Sequence, residues 1–460
     1  LGSNESKAAQ EITENKMGTM PVKKLVVTMS LPIMVSMLVQ ALYNIADSYF
    51  VSWMSTEALS AVTLAFPMQN LMIAVASGTG VGVNALLSRS LGERKFDKAD
   101  DAANAAVSLA VFSYLIFLAV GLFLTKTFIC MQTTNETIRS YGISYTAICC
   151  CVSIGVFFQV SMERLLQATG RTVLSMASQI TGAVINTIMD PILIFGLLGF
   201  PKMGIAGAAI ATVFGQICAS CLGIFMNVKF NKEIHLSLKK ILRPKMAVIG
   251  RIYSVGVPSI LMISIGSVMT FCMNRLLGAF TNTATAVFGA YFKLQSFFFM
   301  PVLGINNGTV PILAYNYGAG KPQRLRETIS FAMKLAVVIM FAGLVLFETI
   351  PGTLLRIFHA GDDMLAIGVP ALRIIGIHFP VAACSIVLTS TFQAFSRSIY
   401  SLIISVCRQL VVLLPAAWLL SLTGELVNVW WCFPIAELAS VSLCVVFFKK
   451  VYTEVTSVSA

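Results

Sequence analysis

Two aspartates stand inside long apolar runs, where an ionisable side chain is costly and is a functional candidate by default. Asp47 follows Gln40, Tyr43 and Asn44 at spacings i, i+3, i+4 and i+7, which places all four on one face of a helix. Asn186 and Asp190 are four residues apart and share a face of a second helix. Thr212 sits in the small-residue run GIAGAAIAT of a third. Two carboxylates, an amide and a hydroxyl make an oxygen-rich site suited to Na⁺ or H⁺, with Asp47, Asp190, Asn186 and Thr212 as its members. Pro191 has no N–H and frees the carbonyl of Thr187 beside it. The plainer reading of Asn186 and Thr212 is polar contact between helices.

Four further polar residues lie deep in apolar runs: Lys293, His378, Arg408 and Glu437. Arg408 and Glu437 fall at similar depths and are expected to form an ion pair. Lys293 is expected either to pair with Glu437 or to face a cavity. His378 is a candidate for the same cavity.

These residues need membrane-spanning helices to hold them. Of the 460 residues, 57% are hydrophobic and only 11% charged, against about 25% charged in a soluble domain. A span takes about 20 residues, so twelve account for most of the chain and leave no room for a large soluble domain. The expected spans are 25–53, 57–87, 99–124, 138–161, 172–197, 204–228, 249–275, 284–313, 326–349, 366–389, 398–421 and 428–448. The first apolar run is too long for the core of a secretory leader. Most of the 11 cysteines lie in apolar runs and read as small hydrophobes. The Cys218–Cys221 spacing occurs in such a run too, and a redox or metal role is not expected there.

Numbering the loops by side puts 23 of the 32 Lys and Arg residues on the side of the termini and five on the other. The positive-inside rule then places both termini in the cytoplasm. It also accounts for the net charge of +12 without a nucleic-acid partner. The longest basic stretch, KFNKEIHLSLKKILRPK at 229–245, would put Ile234, Leu238, Ile241 and Leu242 on one helical face. That suits a helix lying on the membrane surface; a solvated linker is the other reading.

The chain also matches itself at an offset of 226. Pro32 falls on Pro258, Phe66 on Phe292, Gln69 on Gln295, Gly78 on Gly304, Gly92 on Gly318, Gln167 on Gln393 and Arg171 on Arg397. Two six-span halves entering from the same face are parallel repeats, an arrangement that builds alternating access around a central cavity. The expected division is a segment 1–24, a six-helix lobe 25–228, a linker 229–248, a second lobe 249–448 and a tail 449–460. The fold class is all-α and polytopic, with twelve transmembrane helices in two lobes. The two halves differ at the aspartates: Asp47 falls on Met273 and Asp190 on Ala416.

The paired stretches GTGVGVNALLSRSLGERK and GINNGTVPILAYNYGAGK, with NTIMDPILIFG and GIAGAAIAT, resemble the multidrug and toxic compound extrusion (MATE) family. The match of Asp47, Gln40 and Tyr43, and of Asp190, Asn186 and Thr212, is similar to the cation site of its bacterial DinF-like branch. The seventh span has no acidic residue, unlike relatives that place a cation site in the second lobe. The resemblance implies export of hydrophobic or cationic small molecules against inward flow of H⁺ or Na⁺, with no cofactor beyond that ion. It implies a monomer among the membrane lipids of a bacterial inner membrane.

Two rival readings have distinct signatures. A flippase of lipid-linked saccharides would line its cavity with cations, for which Lys293, Arg373 and Arg408 are candidates. A membrane-embedded enzyme would need a catalytic motif, yet neither H-E-x-x-H nor G-x-S-x-G occurs, and His235 and His359 fall in loops. No Walker A sequence supports nucleotide use: Gly318-Ala319-Gly320-Lys321-Pro322 lacks the Ser or Thr that should follow the Lys.

Overall fold

The computed structural model describes residues 15–358 and 360–457. Leu1, Lys7, His359 and most of the expected segment 1–24 lie outside the described residues, as does the end of the expected tail. Among the described residues the chain is helical and has no strand. The long helices of the first half are α1 (Val22–Ser52), α2 (Thr56–Gly92), α3 (Phe96–Phe123), α4 (Glu136–Cys151), α5 (Ile154–Ala168), α6 (Thr172–Phe195) and α7 (Ile205–Phe230). Those of the second are α8 (Met246–Gly278), α9 (Asn282–Gly318), α10 (Pro322–Thr349), α11 (Asp362–Gly376), α12 (Phe379–Ala394), α13 (Ser398–Ser421) and α14 (Cys432–Ser457). Among the described residues ten helices are long and apolar enough to cross a membrane, twelve spans if each bent pair counts as one. The pairs are α4 with α5, bent by 46°, and α11 with α12, bent by 49°. The sequence expectation of an unbroken fourth and tenth span is corrected here: both break, at positions that match to within one residue under the offset of 226.

The repeat extends to detail that hydropathy does not carry. The bounds of α2 and α9 differ by 226 at both ends, as do those of α3 and α10. Ser55 caps α2 by accepting from the Ala58 amide at 3.0 Å, and Thr281 caps α9 by accepting from Ala284 at 3.0 Å. Such a cap contributes about 1 kcal/mol. The turn after α2 puts Arg94 at φ 57°, and the turn after α9 puts Gly320 at φ 63°. Gly170 at φ 83° and Ser396 at φ 59° form a second such pair.

The halves cross-pack through this symmetry: α1 lies on α9, and α2 on α8. Gly92 abuts the Tyr315 carbonyl, and Gly318 abuts the Arg89 carbonyl, so a side chain at either glycine would collide with backbone. Small residues permit such close helix approach in membranes. These contacts lie at the basic end of the bundle, where the Arg89 guanidinium also stacks over the Tyr317 ring at 4.7 Å. Pro32 lies within α1 and frees the carbonyl of Thr28, which accepts from the Thr172 hydroxyl at 3.4 Å.

A short helix, Lys16–Thr19, closes the basic end across both halves. Met17 is fully buried. Its carbonyl accepts from Asn316 Nδ2 and Arg324 Nη2, each at 3.0 Å. Lys321 donates to the Gly18 carbonyl at 3.0 Å. Asn15 donates to the Thr169 carbonyl in the first half at 3.1 Å and to Glu233 at 2.7 Å.

The stretch 229–245 is not one amphipathic helix. Its first two residues end α7, and beyond them only Leu238–Leu242 is helical. Ile234 and Ile241 pack into the first half's core, whereas Leu238 and Leu242 are exposed. The tether explains the break: Lys240 and Lys245 reach Asp101 at 3.3 and 2.6 Å, and Ser108 donates to the Ile241 carbonyl at 2.6 Å.

Candidate functional site

The polar face of α1 points inward. α1 packs along α6, and α6 along α7, so the three helices that carry Asp47, Asp190 and Thr212 meet. Gln40 accepts from Gln179 of α6 at 3.3 Å. Tyr43, Asn44 and Asp47 line a cavity of about 210 Å³ with Gln69, Tyr145 and Thr212. Asn186 donates to the Thr212 hydroxyl at 3.2 Å, and Thr212 donates to the Ala208 carbonyl at 3.1 Å. Asp190 is completely buried and lies outside the lining of that cavity.

The distinguishing observation concerns what these oxygens lack. Asp47 Oδ1, both carboxylate oxygens of Asp190, and Asn186 Oδ1 are shielded from solvent with no hydrogen-bond partner among the described residues. Buried polar groups are ordinarily paired, and an unpaired buried carboxylate is among the most costly groups a fold can contain. Four unpartnered acceptors on two helices that pack together therefore fit a proton or a small hard cation. Among the described residues no three His, Cys, Asp or Glu side chains group as a metal site; two carboxylates, an amide and a hydroxyl are the oxygen ligands present.

Glu163 is a buried carboxylate that hydropathy reading passed over. It accepts from Gln159 at 2.9 Å on α5 and is 6% exposed. The fourth span was expected to end at 161, whereas the helix continues to Ala168. The i, i+4 spacing of Gln159 and Glu163 was the available signal.

In the second half, Arg408 Nη1 lies 3.4 Å from Glu437 Oε2, the pair that the sequence suggests. Glu437 is 4% exposed, and its Oε1 has no partner. Arg408 is carried by a π-helical turn, Cys407–Leu413, that interrupts α13; such turns are frequent at functional positions. His378 is buried, stacks on Phe433 with ring centroids 6.0 Å apart, and its Nδ1 contacts the Ile375 carbonyl. Arg408, Glu437 and His378 line one cavity of about 740 Å³ with Phe66, Phe292 and Phe299. Lys293 is a correction. It is exposed, away from Glu437 and from that cavity, with its ammonium 5.9 Å from the Phe358 ring. Its long stem lets the charge leave the apolar zone. Arg373 is also exposed and lies 4.0 Å from Glu348.

A third cavity, of about 220 Å³, lies between the halves. Arg164 of α5 and Arg408 of α13 both line it.

The MatE family model matches residues 32–192 and again 258–419. The chain belongs to the MATE family. The two matches begin 226 residues apart, the offset of the internal repeat. MATE proteins are membrane transporters, so this chain is a transporter and not an enzyme. It is 25% identical over 444 residues to a FAD transporter of Shewanella oneidensis, covering 96% of this chain and 97% of that one. It is 25% identical over 410 residues to the multidrug export protein MepA of Staphylococcus haemolyticus, covering 89% of each. A solved structure described as the outward-facing conformation of a multidrug resistance MATE family transporter superposes with a TM-score of 0.91. The identity is 23%, over 97% of this chain and 99% of the other.

Proposed function

We propose that this MATE transporter exports organic compounds from the cytoplasm by exchange for inward-moving H⁺ or Na⁺. Asp47, Asp190, Asn186 and Thr212 form the coupling site, with Gln40, Tyr43 and Asn44 beside it. The observation that carries the reading is the set of unpartnered oxygens on Asp47, Asp190 and Asn186. The family and the MepA relative support multidrug export as the class of activity. The basic end of the bundle faces the cytoplasm of a bacterial cell, following the charge asymmetry, and one chain suffices. The lobes are residues 25–228 and 249–448, joined by 229–248. The DinF-like branch is the assignment that matches the coupling residues.

The cycle follows from charge. With the basic end closed, the coupling site is reached from the outer side. A proton or Na⁺ arriving there neutralises Asp47 and Asp190, and the face of α1 that carries Asp47 repacks about Pro32. Substrate leaves outward. The ion binds the two arrangements with different affinity, which is what allows it to drive the exchange. Export of a flavin nucleotide is a second reading, favoured by the FAD transporter similar over nearly the whole chain. A lipid-linked saccharide flippase is less well supported, because Lys293 and Arg373 lie outside the cavities.

Dye export from proteoliposomes, with a pH gradient and a sodium gradient imposed separately, tests the proposal. Export driven by one of the two gradients is expected. Equal export with neither gradient would overturn it.

A further inference from the structure

The chamber of about 220 Å³ between the halves has an unusual lining. Arg164 enters it from the first half and Arg408 from the second. The remaining polar wall is neutral, made of amides and hydroxyls such as Asn84, Asn306, Gln393 and Ser405, and no carboxylate lines it. Arg164 uses Nη1 on Gln167 Oε1 at 3.0 Å and on Asn307 Oδ1 at 3.1 Å. Among the described residues Arg408 makes one hydrogen bond, at 3.4 Å, to a Glu437 oxygen. A guanidinium has five N–H donors in a planar fork, so most of those on Arg408 are uncommitted. Two guanidiniums with spare donors and a ring of neutral hydrogen-bonding groups match a tetrahedral or planar oxyanion, while the Glu437 carboxylate touches Arg408 from outside the lining. Arg408 also lines the aromatic cavity of about 740 Å³, so it forms a wall common to both spaces.

We infer that this chamber is an anion site, which binds the phosphate or carboxylate group of a ligand between Arg164 and Arg408. The rest of such a ligand lies among the rings of the larger cavity. The anchors come from different halves, so the site is complete only while the halves hold this arrangement. Glu437 is the internal competitor: it occupies one Arg408 donor and yields it when the anion enters. The transporter reading supplies the site's use, but binding itself can be tested without transport.

The test is equilibrium binding to the purified full chain in detergent, in two matched pairs. One pair is riboflavin 5′-phosphate against riboflavin, and the other is dihexanoyl phosphatidate against dihexanoylglycerol. The member with the phosphate is expected to bind at least tenfold tighter in one pair, and the preference is expected to shrink at high salt. A preference in the first pair assigns the site to soluble aromatic phosphates, and one in the second to lipid headgroups. R408Q is expected to erase the preference, and E437Q to increase it. R164Q is expected to act like R408Q, but Arg164 also bridges the halves, so R408Q carries the test if R164Q fails to fold. Equal binding within both pairs, or an unchanged preference in R408Q, would overturn the inference. Dye export driven by an ion gradient in the same preparation would then leave the proposed function intact. A phosphate preference without gradient-driven export would sink the function and keep the site.

Discussion

Arg164, in the first half, donates to Asn307 Oδ1, in the second, over 3.1 Å. One half-buried charge is thereby held by both lobes. Asn307→Leu removes an acceptor from a half-buried guanidinium, a change that costs about 0.5–1.5 kcal/mol. A lower thermal midpoint in detergent is expected. Asn307→Asp keeps an acceptor and adds a complementary charge, so its midpoint is expected to stay at or above the wild-type value. Equal midpoints for the leucine variant and the wild type would remove this bridge from the account.

The closure of the basic end has a second component in Met17, whose buried side chain sits where Asn316, Lys321 and Arg324 reach the backbone of Met17–Met20. Met17→Asp places a charge in that apolar contact. Spin labels at the exposed positions Arg94 and Gln323 report on the separation of the halves there. A broader and longer distance distribution is expected in the variant. An unchanged distribution would show that the short helix does not hold the halves together.

The same region carries a pH dependence. Burial pushes the Glu233 carboxyl above the ordinary carboxylate range, against the opposing pull of Asn15, Arg171 and Lys16. A group with a raised folded-state value stabilises most below its unfolded value of 4.5 and loses that contribution as pH rises through the folded value. The fold is therefore expected to gain stability from Glu233 on mild acidification. Glu233→Gln keeps an acceptor for Asn15 and removes the charge. It is expected to raise the midpoint at pH 7 and to flatten its change between pH 7 and pH 4. An equally steep profile in that variant would refute the assignment.

The repeat makes a prediction about backbone strain. Ser396 holds φ 59° where its counterpart in the first half is Gly170. A non-glycine residue in this left-handed region costs about 1–2 kcal/mol, partly offset by the greater unfolded-state freedom of glycine. Ser396→Gly is expected to stabilise by about 0.5–1 kcal/mol in reversible denaturation, and Gly170→Ala to destabilise. A destabilised Ser396→Gly would mean that the serine side chain supplies more than the strain removes.

Hydropathy and the offset of 226 made the twelve spans and their pairing legible, because both depend on composition along the chain. The i, i+4 spacings placed Asp190 with Asn186 for the same reason. The breaks between α4 and α5 and between α11 and α12 were hidden, since a bend leaves an apolar run apolar. Lys293 was misplaced because a position along a helix gives its depth but not which side faces the protein. The bridge from Arg164 to Asn307 joins residues 143 apart and required the packing of two lobes. The π-helical turn at Arg408 left no mark in the residue pattern. Its counterpart at Gly182 lies in a regular helix, and the difference between Gly and Arg does not encode the turn.

The central claim is that the carboxylates of Asp47 and Asp190 couple ion entry to export. Its most direct test is ion flux coupled to dye exchange in proteoliposomes containing Asp47→Asn or Asp190→Asn, with dye binding measured on the same protein. Each amide is expected to retain dye binding within about threefold while gradient-driven exchange and the accompanying H⁺ or Na⁺ flux fall to the level of empty liposomes. Wild-type rates of ion-driven exchange in both variants would contradict the account.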